Sequence, residues 1–324
     1  MPLLWRPSAA MSDILIIKTS SLGDVVHQMP AMTDAARAVP GLRLFWVVEE
    51  SFAPLAQLHP SIAEVIPVAT RRWRSKLASR ATWREISAFN TRLREPDFDK
   101  VIDTQGLIRS AVIARLAHGE RHGYDADSIR EPLAARFYGV THAVSRDLHA
   151  VARNRLLTGH ALGYQPPAKI DYGLIRPPRA EENGYAVLLH GTSRASKEWR
   201  AEDWIETGRW LQKRGMQVVL PWGTEAERQL AEMLSGAIEG SRVLPRQRLD
   251  LTAQVIANAA LVVGVDTGLM HLAAAYRVPL VGIYVSTDPG LTGPVGSGPM
   301  SVLGGKAGAP SARQAIEAAE RLLD

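Results

Sequence analysis

The run Leu261-Val-Val-Gly-Val265 constrains this chain more than any other stretch. Five apolar residues, β-branched but for a leucine and a glycine, suit a strand buried on both faces, and such strands belong to parallel sheets covered by helices. A polar turn, Asp266-Thr267-Gly268, follows at once, and apolar residues then recur at helical spacing as far as Tyr276. Strand, tight turn and helix in that order make half of a βαβ unit. The N–H groups that open the helix point outward and, with the positive end of its dipole, favour an anion. Thr267 adds a hydroxyl, and Gly268 lets a ligand approach the backbone closely. Asp266 is the odd member, because its carboxylate repels a diphosphate unless it caps the helix or turns towards a hydroxyl or amine. We read it in part as an N-cap. Local chemistry by itself favours the plainer reading, an ordinary strand-to-helix turn capped by Asp266.

The same pattern occurs near the start of the chain. Residues 13–18, Asp-Ile-Leu-Ile-Ile-Lys, read as a buried parallel strand, and the small-residue loop Thr19-Ser-Ser-Leu-Gly23 leads into a helix at Asp24-Val-Val-His27. Further strands are expected at 44–48, 65–68 and 100–103, with helices at 53–58, 83–94 and 108–117 between them. A proline-rich and acidic interval, 166–183, reads as a linker. The alternation then restarts with strands at 185–189, 217–220 and 261–265, helices at 202–213, 226–235 and 251–259, and a closing amphipathic helix at 311–323. Strands alternating with helices in two runs predict an α/β protein with two Rossmann-like parallel-sheet domains facing a central cleft. The expected boundaries are an N-terminal extension at 1–12 without order, a first domain at 13–165, the linker, a second domain at 184–305, and a C-terminal segment and helix at 306–324 able to pack back on the first domain. Met11 is a candidate for the natural start.

At 324 residues and 46% hydrophobic composition, the chain can bury a large core. Its apolar runs are far short of the ~20 residues that cross a bilayer, and the first ten residues lack the pattern of a signal peptide. Cysteine is absent, which excludes disulfides and thiolate chemistry and suits a cytoplasmic protein. With 38 basic and 33 acidic residues the net charge is +5, a mild excess that points to an anionic partner rather than to nucleic acid. Neither G-x-G-x-x-G after the first strand nor G-x-x-x-x-G-K-[ST] is present, and no His cluster suggests zinc. Asp125-Ala-Asp127 resembles a divalent-cation pair, but it follows no apolar strand and reads as a solvated loop.

The loop His190-Gly-Thr192-Ser193-Arg-Ala-Ser-Lys197 supplies a glycine, hydroxyls and a lysine after a strand, a candidate anion cradle. For any single residue, a surface lysine or a helix-capping hydroxyl is an equal reading. The loop Pro221-Trp-Gly-Thr-Glu225-Ala-Glu227 offers a carboxylate to a ribose, with Glu225 and Glu227 as rivals. Arg71-Arg72-Trp73-Arg74-Ser-Lys76 gathers cations around one tryptophan. It reads as a solvated loop, as a nucleic-acid patch disfavoured by the small net charge, or as a docking surface for an anionic, partly greasy molecule.

Ile16-Ile-Lys-Thr-Ser-Ser-Leu-Gly-Asp24, Trp46-Val-Val-Glu-Glu, Arg71-Arg-Trp-Arg74, Asp103-Thr-Gln-Gly106-Leu, Arg130-Glu-Pro-Leu133, Leu220-Pro-Trp-Gly223 and Val265-Asp-Thr-Gly-Leu-Met-His271 together resemble the lipopolysaccharide heptosyltransferase I family of GT-B glycosyltransferases. The resemblance runs over nearly the whole chain in order. It implies transfer of heptose, with inversion and without metal or cofactor, from ADP-heptose to the first Kdo sugar of Kdo-lipid A. It further implies that Asp24 is the general base, that Thr192, Ser193, Lys197, Glu227, Asp266, Thr267, Gly268 and His271 line the donor site, and that Arg71, Arg72, Arg74, Lys76, Gln105 and Arg130 bind the acceptor, with Trp73 at the membrane interface. The implied setting is a monomer, peripheral on the cytoplasmic face of the inner membrane. Ser193 stands where that family usually has threonine, which keeps the hydroxyl. For Asp24, local sequence alone favours a helix N-cap. Alternatives are the related enzyme adding a second heptose, or a nucleotide-sugar binding or epimerising protein that transfers nothing.

Overall fold

A computed structural model describes residues 11–178, 184–306 and 308–324, and the expected N-terminal extension and the end of the expected linker fall largely outside them. The chain divides into two compact units: residues up to Ser20 with Gln28–Ala168, and Ser21–His27 with Lys169–Asp324. The first turns of one helix therefore group with the second unit, a division that no composition break announces.

In chain order the first half runs β1 (Ser12–Ile17), α1 (Leu22–Ala38), β2 (Leu42–Glu49), α2 (Ala53–Ala56), β3 (Ile62–Val68), α3 (Thr70–Arg74), α4 (Arg80–Arg94), β4 (Asp97–Asp103), α5 (Ile108–Leu116), β5 (His118–Tyr124), β6 (Val140–His142) and α6 (Ala150–Leu162). The second runs β7 (Tyr185–Leu189), α7 (Ala201–Lys213), β8 (Gln217–Leu220), α8 (Glu225–Ala237), β9 (Arg242–Val243), α9 (Leu249–Asn258), β10 (Leu261–Val265), α10 (Met270–Ala275), β11 (Leu280–Tyr284), β12 (Met300–Gly304) and α11 (Ala312–Leu323). Among the described residues each half holds a six-stranded parallel sheet, ordered β3-β2-β1-β4-β5-β6 and β12-β11-β10-β7-β8-β9. Renumbered within each half, both orders are 3-2-1-4-5-6, the doubly wound order in which ligands bind where the winding reverses. Those reversals lie between β1 and β4 and between β7 and β10.

The expected central strands are all present, because apolar runs such as 14–17 and 261–265 have nowhere to go but a sheet interior, and all nine of these side chains or backbones are buried. β5 was not anticipated. Its sequence, His-Gly-Glu-Arg-His-Gly-Tyr, is polar, and only its last three residues are buried. α11 was expected to be able to pack back on the first domain. It packs instead in the core of the second unit, where Ala312, Ala315, Ala318 and Ala319 are at most 1% exposed beside Trp204 and Leu211. Small residues every third or fourth position let that helix lie close to α7.

Candidate active site

At the first reversal, the ends of β1 and β4 carry polar groups with internal partners. The buried Lys18 ammonium donates to the Thr104 carbonyl at 2.9 Å, and the Trp46 indole donates to the Lys18 carbonyl at 3.1 Å. Asp103 is fully buried and accepts from the Gln105 and Gly106 amides (2.8 and 3.2 Å) and from the Tyr138 hydroxyl (2.7 Å). Burial lifts its carboxyl above the ordinary carboxylate range against those donors. Gln105 accepts the amides of Thr19 and Ser20 at 3.0 and 3.1 Å, so its oxygen faces the loop before α1.

Asp24 is not the N-cap of α1. It lies three residues into the turn and accepts from the Ser21 amide at 2.6 Å and the Ser21 hydroxyl at 3.1 Å. Ser21-x-x-Asp24 is the spacing of a capping pair in which the acid reaches back, so one carboxylate oxygen is fixed while the residue stays at the loop mouth. On the same helix His27 is 3% exposed, and its Nε2 lies 3.2 Å from Nδ1 of His271, which is 5% exposed. No spacing in the sequence singles out His27. A Cβ on Gly23 would come within 3.0 Å of the His271 ring, so the glycine admits that ring.

At the second reversal, Asp266 forms no cap. α10 starts at Met270 with Leu269 before it, and the Asp266 carboxylate pairs with the Lys197 ammonium at 2.5 Å and accepts from the Thr287 hydroxyl at 2.7 Å. The odd carboxylate of the motif is thus turned to an amine and a hydroxyl, the other arrangement compatible with a nearby anion. The Thr192 hydroxyl donates to the Asp266 carbonyl at 3.3 Å, joining the loops after β7 and β10, while Ser193 is exposed beside it. Gly268 serves packing: a Cβ there would meet the Leu22 side chain at 2.6 Å and the Gly23 nitrogen at 2.9 Å. That close approach by itself requires a glycine at this position.

The two acids after Trp222 separate cleanly. Glu227 closes a capping box at the start of α8, accepting from the Gly223 and Thr224 amides (2.7 and 3.1 Å) while Thr224 accepts the Glu227 amide at 3.3 Å. A Cβ on Gly191 would fall 2.6 Å from its carboxyl carbon, so Glu227 stands against the loop after β7. Glu225 is exposed and bonded to Arg228, which holds its carboxyl below the usual range.

The basic segment is a short helix, α3, rather than a loop. Arg72 pairs with Glu50 and Glu85, Arg71 lies 5.5 Å over the Phe52 ring, and Arg74, Lys76 and Arg130 are exposed. Trp73, expected to face a membrane, instead donates to Glu85 at 2.9 Å and packs edge-on against Phe89 at 5.7 Å. The exposed apolar groups here are Leu77 and Trp83, 52% and 58% exposed. Asp125 does follow a strand, the polar β5, and accepts the Ser128 amide at 2.8 Å as a turn residue; among the described residues no group of three or more His, Asp or Glu is disposed to hold a metal.

The profile of glycosyltransferase family 9 (heptosyltransferase) matches residues 86–318. Lipopolysaccharide heptosyltransferase 1 of Pseudomonas aeruginosa is 47% identical over 87% of this chain and 81% of that protein. The solved structure of E. coli heptosyltransferase WaaC with ADP superposes with a TM-score of 0.89 at 41% identity, covering 95% of this chain and 99% of that one. The same enzyme with ADP-2-deoxy-2-fluoro heptose gives 0.85 at 40% identity, over 95% and 98% of the two chains. With two doubly wound sheets, the loop chemistry at their reversals and these likenesses over almost the full length, the chain belongs to glycosyltransferase family 9, the heptosyltransferases.

Proposed function

We propose that this heptosyltransferase moves L-glycero-D-manno-heptose from ADP-heptose to the first Kdo of Kdo-lipid A in the lipopolysaccharide inner core, with inversion. The observation that carries the reading is the near-complete match to a solved enzyme bound to ADP, at 41% identity. Transfer from a nucleotide diphosphate to a hydroxyl needs a base on the acceptor and a sink for charge on the leaving group. Asp24 takes the acceptor hydroxyl proton as the oxygen attacks the anomeric carbon and the bond to ADP breaks. With one carboxylate as base and none as nucleophile, a single displacement inverts that carbon. Lys197, Thr192 and Ser193 answer the diphosphate, and Asp266, tied to Lys197 and Thr287, is kept from repelling it. Thr267, Gly268 and His271 complete the donor side, with Glu227 on the ribose. Lys197 and the strand-end amides supply the positive charge, so no metal is required.

Arg71, Arg72, Arg74, Lys76 and Arg130 meet the acceptor's carboxylates and phosphates, and Gln105 offers it at most its amide N–H₂. Leu77 and Trp83, exposed among Arg74, Lys76, Arg80 and Arg84, favour peripheral attachment to the cytoplasmic face of an anionic membrane. Among the described residues no helix is long and apolar enough to cross one. The test offers ADP-heptose with Kdo-lipid A and, separately, with the same acceptor already carrying one heptose. A one-heptose mass gain on the first acceptor only is expected. Gain on the second only would make this the enzyme that adds the next heptose.

A further inference from the structure

We propose that Gln105 is a positioning residue, whose side-chain oxygen sets the backbone of the β1–α1 loop and so the place of Asp24. This rests on the transferase reading, and on a geometry that no spacing in the sequence shows. The Gln105 side chain meets the Thr19 and Ser20 amides at 3.0 and 3.1 Å and the Thr19 hydroxyl at 3.5 Å, and the two N–H donors fix the carbonyl oxygen rather than the nitrogen at that point. One acceptor thus satisfies two successive amides, at the reversal between β1 and β4 where the doubly wound fold opens its crevice.

The clamp is itself held. The Gln105 amide and the Gly106 amide donate to the same oxygen of Asp103, and Tyr138 donates to its other oxygen. Gly106 takes φ +68°, a conformation that costs other residues strain, so the β4–α5 turn has one shape. Thr104 donates from its amide and its hydroxyl to the Ile17 carbonyl, at 3.1 and 3.3 Å, and its hydroxyl also lies 2.7 Å from Gln28, which ties β4's end to β1's end. The Arg109 guanidinium donates to the Ser20 hydroxyl at 3.0 Å. The next residue, Ser21, gives its amide to Asp24. Three consecutive amides before α1 are therefore spoken for, two by Gln105 and one by the proposed base. Loosening the first two lets the third and its carboxylate wander, and displacement of a reacting group by an ångström costs of the order of 100-fold in rate.

Leucine and glutamate at position 105 separate this role from an acceptor contact. Leucine keeps the size and loses the acceptor, whereas glutamate keeps an oxygen for both amides and loses the amide N–H₂. For Gln105→Leu we expect kcat to fall about 10- to 100-fold with both KM values within about twofold of wild type. For Gln105→Glu we expect kcat within a few-fold of wild type. Hydrogen exchange at Thr19 and Ser20 should quicken in the leucine variant and not in the glutamate one, with melting curves confirming that both fold. An acceptor KM raised equally in both variants at unchanged kcat would overturn the proposal, as would wild-type kcat in Gln105→Leu. If wild-type protein turns over no ADP-heptose, the transferase reading falls, and slow exchange at Thr19 and Ser20 in Gln105→Leu would then overturn the clamp as well.

Discussion

The two sheet reversals have the same strand order and close in opposite ways. Between β1 and β4 an uncharged side chain, Gln105, takes up loop amides, and a carboxylate, Asp24, is held by the adjacent serine. Between β7 and β10 a charge pair, Lys197 with Asp266, bridges the loops, supported by the Thr287 hydroxyl. Topology provides the same crevice twice, and side-chain chemistry tells the two apart: a carboxylate held by its own turn at one, a lysine–aspartate pair at the other. Fold alone would not tell these loops apart.

Asp24→Asn probes the first loop most sharply. Asparagine can still accept from Ser21, so the turn survives, but it cannot take a proton. Steady-state turnover should fall ~10²–10⁴-fold while ADP affinity, measured by calorimetry, stays unchanged. A parallel loss of ADP binding would collapse the distinction between the loops. At the second loop, Lys197→Met should weaken ADP by roughly 10- to 100-fold, the worth of a hydrogen bond to a charged group, because it also leaves Asp266 facing the diphosphate with only Thr287 to hold it. An unchanged ADP affinity would make Lys197 a structural partner of Asp266 and nothing more.

Smaller effects belong to the basic segment. Arg71→Gln with Arg74→Gln should raise the acceptor KM roughly fivefold to tenfold, on the scale of exposed charge contacts, and leave ADP affinity alone. Arg72→Gln should lower the melting temperature more than either, since Arg72 bonds Glu50 and Glu85 and those bonds lift its own pKa further. The smallest effect lies outside both loops, in β5 and β6. His122 bonds His142 at 3.0 Å and Glu120 at 2.9 Å, with Lys100 and His160 nearby, and burial depresses both imidazoles below their ordinary value. A histidine whose pKa is lower folded than unfolded gives up stability as pH falls from about 6.5 through the depressed value, because the unfolded chain takes the proton first. Urea melts should show that loss, and His142→Gln should flatten it without touching ADP affinity at neutral pH.

How much of this was legible depended on the kind of signal. The central strands, both reversal loops and the family were readable because apolar runs and loop motifs are local. Polar β5 was not, since its pairing with β4 supplies what its composition lacks. The capping box that opens α8 was legible too, since Thr224-x-x-Glu227 has its spacing. Ser21-x-x-Asp24 carried the same signal. Asp266 as a partner of Lys197, Gly268 against Leu22, and Gln105 on Thr19 and Ser20 join residues far apart in sequence. No periodicity encodes such contacts. Trp73 misled for a related reason, because a tryptophan among arginines looks interfacial until the helix that buries one face of it is in place.

The most direct measurement is release of ADP from ADP-heptose with and without Kdo-lipid A, before and after exhaustive EDTA treatment. Heptose transfer without a metal requires release that depends on the acceptor, matches it mole for mole in heptosylated product, and is unchanged by EDTA. Tight binding of ADP with no acceptor-dependent release would contradict it, and release abolished by EDTA and restored by Mg²⁺ or Mn²⁺ would contradict the assignment of the diphosphate's charge to Lys197 and the loop amides.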